Sequence, residues 1–386
     1  MNLLKHFSFE LPTRIEYGVD VSDQLPRMVK AIGAHSVLIV TDQGIRASGL
    51  LSPVVDQLEN QKLSWTLFDE VEPNPKDYNV QAGSEKVREY KADCLVAIGG
   101  GSPIDCAKAI SVTATHRGHV RTYEDPQKIT NKVVPLIAIP TTAGTGSEVT
   151  FSAVITDSNE KFKFTVKHPI IAPKIALVDP KMTLTMPPEL TASTGMDALT
   201  HAIEAYTAVA AEPLSDALAL YAIELIAAYL RTAVFEGQNL EARSGMLLGS
   251  LLAGIAFSHS DVAAVHCIAE ALGGKYDMPH GVCNAVVLPE MMAYNLEFCQ
   301  ERYARIAAAM GLNVEGSEEG ARKAVEMVQQ LARDVHLPGF RSLGITEEDF
   351  EELARNAAIN GSNKDNPRPM DQDDYTCVLQ RMWAKP

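Results

Sequence analysis

The stretch CLVAIGGGSPIDCAK, residues 94–108, decides the reading of the fold. Cys94–Ile98 is a short apolar run without polar alternation, the pattern of a strand buried on both faces. Gly99, Gly100 and Gly101 end the run, and Ser102, Pro103 and Asp105 open a helical segment. Ser102 can cap a helix, Pro103 suits its first turn, and Asp105 completes an S-x-x-D capping box. Glycines let backbone N–H groups approach a phosphate, and a helix N-terminus adds the positive end of its dipole. The spacing is neither G-x-G-x-x-G nor G-x-x-x-x-G-K-[ST], so this turn alone also reads as a plain strand-to-helix connection.

Ser36–Thr41 (SVLIVT), Val133–Ile139 (VVPLIAI) and Ile175–Val178 (IALV) repeat the buried-strand pattern. Helical stretches such as Val54–Asn60 and Val80–Lys91 lie between them. This order predicts a mostly parallel, Rossmann-like sheet with helices on both faces. Phe7–Tyr17 and Val149–Val166 alternate and carry charge, which suits antiparallel or edge strands. After Pro187-Pro188 the pattern changes. Thr191–Ala208, Leu214–Leu230, Ala242–Phe257, Ala263–Leu272 and Cys299–Met310 carry Ala, Leu and Glu at helical spacing. The boundary is expected within Asp179–Leu190, giving an α/β dinucleotide-binding domain over 1–185 and an all-α metal-binding domain over 186–386.

Composition narrows the partners. The 386 residues include 34 basic and 49 acidic side chains, a formal net charge of −15. Nucleic acid and anionic membranes need a basic surface, so neither is expected as the main partner. The six cysteines form no CxxC pair, which suits reduced thiols in a cytoplasm. The opening MNLLKHFSFELP lacks the apolar run of a signal peptide. Later apolar stretches carry Glu or His or are too short for a bilayer. A soluble cytoplasmic protein is expected.

Asp42 ends the strand at Ser36–Thr41. An acid there can accept hydrogen bonds from an adenosine ribose and repel a 2′-phosphate, although a helix-capping aspartate reads the same. PTTAGTGSEVT, residues 140–150, adds a third loop whose Thr141, Thr142, Thr145 and Ser147 offer hydroxyls. Together the three loops describe a dinucleotide site.

Asp197 and His201 stand four apart in GMDALTHAIEAYT, on one face of a helix. His266 and His280 come later in the chain, and His259 lies nearby. A surface Asp/His pair and satisfied core histidines explain each pair singly. Their concentration among small apolar residues favours a shared partner, because buried ionisable groups need one. One carboxylate and three imidazoles suit Fe2+ or Zn2+ rather than Mg2+ or Ca2+. Glu270, four residues after His266, is open as a ligand or as a supporting group.

The sequence resembles the iron-containing (group III) alcohol dehydrogenases over nearly its whole length. The resemblance rests on GGGSPIDCAK (99–108), PTTAGTGSEVT (140–150), GMDALTHAIEAY (195–206), the segment 265–284 and Asn366-Pro367-Arg368. It implies a dinucleotide-binding α/β domain and a helical domain with the active site in the cleft between them. It implies metal ligands Asp197, His201, His266 and His280. Gly100, Gly101 and Ser102 would meet the cofactor pyrophosphate, with Thr141, Thr142 and Thr145 nearby. Asp42 matches an acidic position associated with NAD over NADP. Lys163 falls near the cofactor ribose, and Phe257 falls on the substrate pocket. Members are commonly dimers or larger, so a homo-oligomer is expected.

Three positions depart from many members. Glu270 replaces a histidine, and His259 and Asp261 stand where Asn and Gly are usual. These changes touch the pocket wall and leave the substrate open among short alcohols, diols and semialdehydes. The expected reaction is reversible hydride transfer between a small primary alcohol and NAD(H), assisted by Fe2+ or Zn2+ as a Lewis acid. Glu270 or His259 could relay the hydroxyl proton. A metal-dependent hydrolase or lyase would explain the Asp/His cluster but not GGGS, Asp42 and the threonine loop. A zinc polyol dehydrogenase of the glycerol type is the nearer alternative, although its ligands usually differ. A non-catalytic binding protein would lose the metal or the nicotinamide contacts, and this chain keeps the residues for both.

Overall fold

The computed structural model describes residues 6–313 and 316–385. The chain divides into two compact units: Glu10–Met186, and Pro187 onward together with the described N-terminal residues through Phe9.

The first unit alternates strands and helices. Its strands are β1 (Arg14–Tyr17), β2 (Ser36–Val40), β3 (Ser64–Phe68), β4 (Cys94–Gly99), β5 (Leu136–Pro140), β6 (Ser152–Asp157), β7 (Phe162–Lys167) and β8 (Ile175–Val178). Its helices are α1 (Leu25–Ala31), α2 (Gln43–Ser48), α3 (Leu51–Asn60), α4 (Asp77–Tyr90) and α5 (Gly101–His116). Six strands pair in the order β1-β8-β5-β4-β2-β3, every pair parallel. Leu38, Val40, Leu95, Ala97, Leu136 and Ala138 face one core with α4 and α5. Val37, Ile39, Val96, Ile98, Ile137 and Ile139 face another with α1 and α3. Burial on both faces is why these strands read as unbroken apolar runs.

The edge reading of Phe7–Tyr17 holds for β1 at the end of the sheet, but its pairing with β8 is parallel. β6 and β7 form a separate antiparallel hairpin. The start of α5 departs from the expected capping box. The N-cap is Gly100, without a side-chain cap bond, and Ser102 lies inside the first turn. Asp105 is drawn elsewhere: it accepts from Val154 N at 2.9 Å and Ser147 Oγ at 2.5 Å.

The second unit is helical throughout its described residues: α6 (Pro188–Thr207), α7 (Pro213–Phe235), α8 (Leu240–Ser260), α9 (Ala264–Tyr276), α10 (His280–Ala309), α11 (Ser317–Asp334), α12 (Phe350–Ala358) and α13 (Gln372–Ala384), with short 3-10 turns. α6 packs against α7, α8 and α10, and its run from Thr191 to Thr207 is buried almost without a break. α7 and α8 are long and apolar enough to cross a membrane by composition alone. Both pack on α6 and on each other; the most apolar window of α8 is mostly buried, whereas more than half of that of α7 is not.

Candidate metal centre and cofactor loops

In a parallel sheet, strand C-termini share one edge. The chain runs from β2 outward to β3, then returns to the far side of β2 with β4, so the order reverses between β2 and β4. Such a reversal opens a crevice at the strand ends where ligands bind. Asp42 leaves β2 there and Gly99–Gly101 leave β4. Thr41 Oγ1 donates to Ile98 O at 2.6 Å and ties the two strand ends together.

The glycine turn packs directly on the threonine loop. Gly99 has φ 155°, a region that favours glycine. A Cβ on Gly101 would lie 2.7 Å from Thr145 Cγ2, and one on Gly100 would lie 3.1 Å from Thr142. Larger residues would therefore fill the cradle at the α5 N-terminus. Thr141 Oγ1 is buried without a hydrogen-bond partner among the described residues. A cradle without side chains, an α5 N-terminus without a side-chain cap and a buried hydroxyl fit a dinucleotide's pyrophosphate. Asp42 also serves as the N-cap of α2, its Oδ1 accepting from Ile45 N at 2.8 Å.

Sequence reasoning missed the brace beneath these loops. Lys108 is wholly buried, and its Nζ donates at 2.8 Å to Ser147 Oγ, Thr150 Oγ1 and Ser152 O. Asp105 Oδ1 completes the cage at 3.3 Å. Ser147, expected at the cofactor, donates its hydroxyl to Asp105 and helps hold the loop. Burial lowers the Lys108 pKa against the opposing pull of Asp105 and Glu148. Burial pushes the neighbouring Glu148 carboxyl up to about 7, despite Lys108. Lys163 lies on β7 and donates to Asn74 Oδ1 at 2.8 Å.

In the helical unit the four expected ligands converge. One donor atom each from Asp197, His201, His266 and His280 lies within 4.8 Å of the others. Metal bonds of about 2.0–2.2 Å place ligand atoms roughly 3–4 Å apart, so the cluster has the right size for one ion. Three ligands are buried and His280 is partly exposed. Asp197 and His201 share a face of α6, His266 lies in the first turn of α9, and His280 opens α10. Gly281 permits this approach, since a Cβ there would meet Ser193 O of α6 at 2.8 Å. The Phe257 ring stacks on His201 at 4.5 Å.

Burial works against a charged Asp197, but the imidazoles of His201, His280 and His266 and the Asn284 amide outweigh it and hold the carboxyl below its usual range. Asn284 Nδ2 donates to Asp197 Oδ1 at 2.7 Å and lies 3.0 Å from Nε2 of both His266 and His280. Sequence reasoning missed Asn284, four residues after His280. It also missed Glu204, whose carboxylate meets His266. The signal was available, because Glu204 lies seven residues after Asp197 and three after His201 on the same helix face.

The proton-relay candidates lie outside the four-ligand group. Asn360 Nδ2 donates to Glu270 Oε2 at 2.7 Å. His259 lies in the last turn of α8 with Nδ1 2.8 Å from Ile255 O and its ring stacked on Phe9. Asp261, just past the end of α8 at Ser260, has φ 64° and ψ 177°, and Ser362 Oγ donates to its Oδ1 at 3.1 Å.

Residues 12–180 match the family model "Iron-containing alcohol dehydrogenase" and residues 191–383 match "Fe-containing alcohol dehydrogenase family, C-terminal". A choline dehydrogenase of Bacillus subtilis (strain 168) is 40% identical over 99% of this chain and 96% of its own length. An NAD-dependent methanol dehydrogenase of Bacillus methanolicus is 39% identical over 97% and 99%. The crystal structure of a 1,3-propanediol oxidoreductase superposes with a TM-score of 0.94 at 40% identity, covering 98% of this chain and 100% of that one.

Proposed function

Since the chain belongs to the iron-containing alcohol dehydrogenase family, we propose that Asp197, His201, His266 and His280 hold one divalent metal, Fe2+ with Zn2+ as the alternative. The activity is NAD-linked alcohol dehydrogenation and its reverse, aldehyde reduction. The observation that carries the site assignment is the convergence of one carboxylate and three imidazoles within 4.8 Å. When bound, the metal supplies Lewis acidity toward an alcohol or carbonyl oxygen, and the nicotinamide carries the hydride.

The chain's residues bind and orient. Gly99, Gly100, Gly101 and Ser102 present helix N–H groups to the pyrophosphate, with Thr141, Thr142 and Thr145 around it. Asp42 accepts from the ribose, and Lys163 lies near that ribose. Ser147 keeps the loop in shape through Asp105. Phe257 shields the His201 ring and lines the substrate side. The substrate's hydroxyl proton leaves through Glu270 or His259. Among the described residues no disulfide joins the six cysteines, and five of them are buried, which supports a reducing cytoplasmic setting; a homo-oligomer is the proposed working form.

The test tracks NADH absorbance with metal-loaded protein under anaerobic conditions. The panel holds short aldehydes and, for the oxidative direction, alcohols, 1,3-propanediol and choline. Metal-dependent NADH turnover is expected. Hydrolysis of a test ester by the metal-loaded protein, with no NADH change for any compound, would overturn the reading in favour of a hydrolase.

A second reading of the substrate comes from Glu270. It lies one helical turn beyond His266, partly exposed, and among the described residues its partner is the Asn360 amide, with no Lys or Arg pairing with it. A partly exposed carboxylate one turn from His266, without a Lys or Arg partner among the described residues, favours an alcohol with a cationic head, as in choline. Glu270→Gln distinguishes the roles. Cation recognition predicts a KM rise for choline alone. Proton relay predicts a changed pH–rate profile for every alcohol. An unchanged profile rules out the relay.

A further inference from the structure

Glu204 has three donors around one buried carboxylate. Oε2 accepts from Ala263 N at 3.0 Å and contacts His266 Nδ1 at 2.5 Å, and Oε1 accepts from Val265 N at 2.7 Å. It is 4% exposed. Ala263 is the N-cap of α9 and supplies no side-chain cap of its own. A helix start leaves N–H groups without intrahelical partners, and here a carboxylate from another helix receives two of them.

The same carboxylate dictates the state of His266. Both carboxylate oxygens already accept from backbone N–H groups, so at this contact the ring Nδ1 is the donor. The Nε2 lone pair is then left on the opposite side of the ring. That side is where Asn284 Nδ2 lies 3.0 Å away and where Asp197, His201 and His280 converge. Both flanks of the ring therefore agree on one tautomer, with Nε2 directed at the ligand cluster. A carboxylate behind a ligating imidazole fixes ring orientation and strengthens the donor, and losing such a partner costs about 10–100-fold in metal affinity.

We propose that Glu204 is a positioning residue that holds His266 ready for the divalent metal by joining the start of α9 to α6. This inference rests on the metal reading of the four side chains. Glu204→Gln is the sharpest variant. Its single oxygen can serve only one side, so its amide N–H2 faces either a backbone N–H or the imidazole N–H. Glu204→Asp keeps the charge but draws it back by one methylene.

Zinc affinity is measured by chelator competition for the wild type, Glu204→Gln, Glu204→Asp and His201→Ala. The expected result is tight binding by the wild type, strong loss in His201→Ala, and a 10–100-fold loss in both Glu204 variants. Melting of the metal-free proteins is measured in parallel. Failure of the wild type to bind zinc overturns the metal reading itself. Wild-type affinity in folded Glu204→Gln overturns only the role of Glu204. A second measurement needs no variant to fold: imidazole 15N spectra of zinc-loaded wild type. They should show His266 ligating through Nε2 with a protonated, strongly hydrogen-bonded Nδ1. Ligation through Nδ1 would defeat the proposal whatever the variants do.

Discussion

Glu148 is buried in the loop after β5, beside Lys108, and burial raises its pKa from 4.5 to about 7. Between those values the folded chain holds a proton that the unfolded chain has released. This contribution to stability is therefore fully present below about pH 4.5 and is lost as pH rises through about 7. Glu148→Gln resembles the protonated acid and should remove the dependence. Urea melts at pH 5 and pH 8 should show the wild type losing about 1–3 kcal/mol more than the variant. Parallel losses would refute the assignment. Asp261 holds a strained backbone. Its φ of 64° with ψ of 177° is a region almost reserved for glycine and costs about 1–3 kcal/mol. The bonds from Val262 N and Ser362 Oγ to its carboxylate offset part of that cost. Asp261→Gly should therefore match or exceed wild-type stability. Asp261→Ala keeps the strain, loses both bonds and should fall by about 1–2 kcal/mol. Equal melting points for the two variants would show that strain is not the governing term.

Elements carry constraints that no single side chain shows. The start of α10 lies against α6 only because Gly281 has no side chain, and the obstacle to a Cβ is the backbone oxygen of Ser193. A backbone oxygen inside a helix cannot swing aside. Gly281→Ala should shift the first turn of α10 and take His280 with it. Ligands must hold their geometry to about 0.5 Å, so zinc affinity by chelator competition should drop at least about tenfold. Unchanged affinity would mean that α10 slides without moving His280. β2, β4 and β8 were legible in the sequence because strands covered on both faces lose their alternation. β3 was not, because SWTLF sits at the sheet edge with Ser64 exposed and only Phe68 buried. β1 was legible as an edge strand, but its direction was not, since RIEY is compatible with either pairing and the partner Ile175–Val178 is distant in sequence.

For the whole molecule, the cluster of Asp197, His201, His266 and His280 was readable because metal chemistry admits few residue types and a helix places i and i+4 together. The supporting groups were not readable in the same way. Glu204 looks like any helix acid until α9 is seen against it. Lys108 looks like a surface lysine until the loop some forty residues later closes over it. The two proposed binding regions fall in different units. Asp197, His201, His266 and His280 all lie in Pro187–Pro386, and the glycine and threonine loops all lie in Glu10–Met186. Ligands that bind only the folded state stabilise by about 2.7 kcal/mol at a hundredfold excess over Kd. Zinc alone should therefore slow amide exchange in α6, α9 and the first turns of α10. NAD alone should slow it at residues 99–102 and 140–150. A chelator should reverse the first pattern and leave the second untouched. Zinc protection confined to residues 10–186 would place the metal elsewhere, because binding at the four side chains protects first the helices that present them.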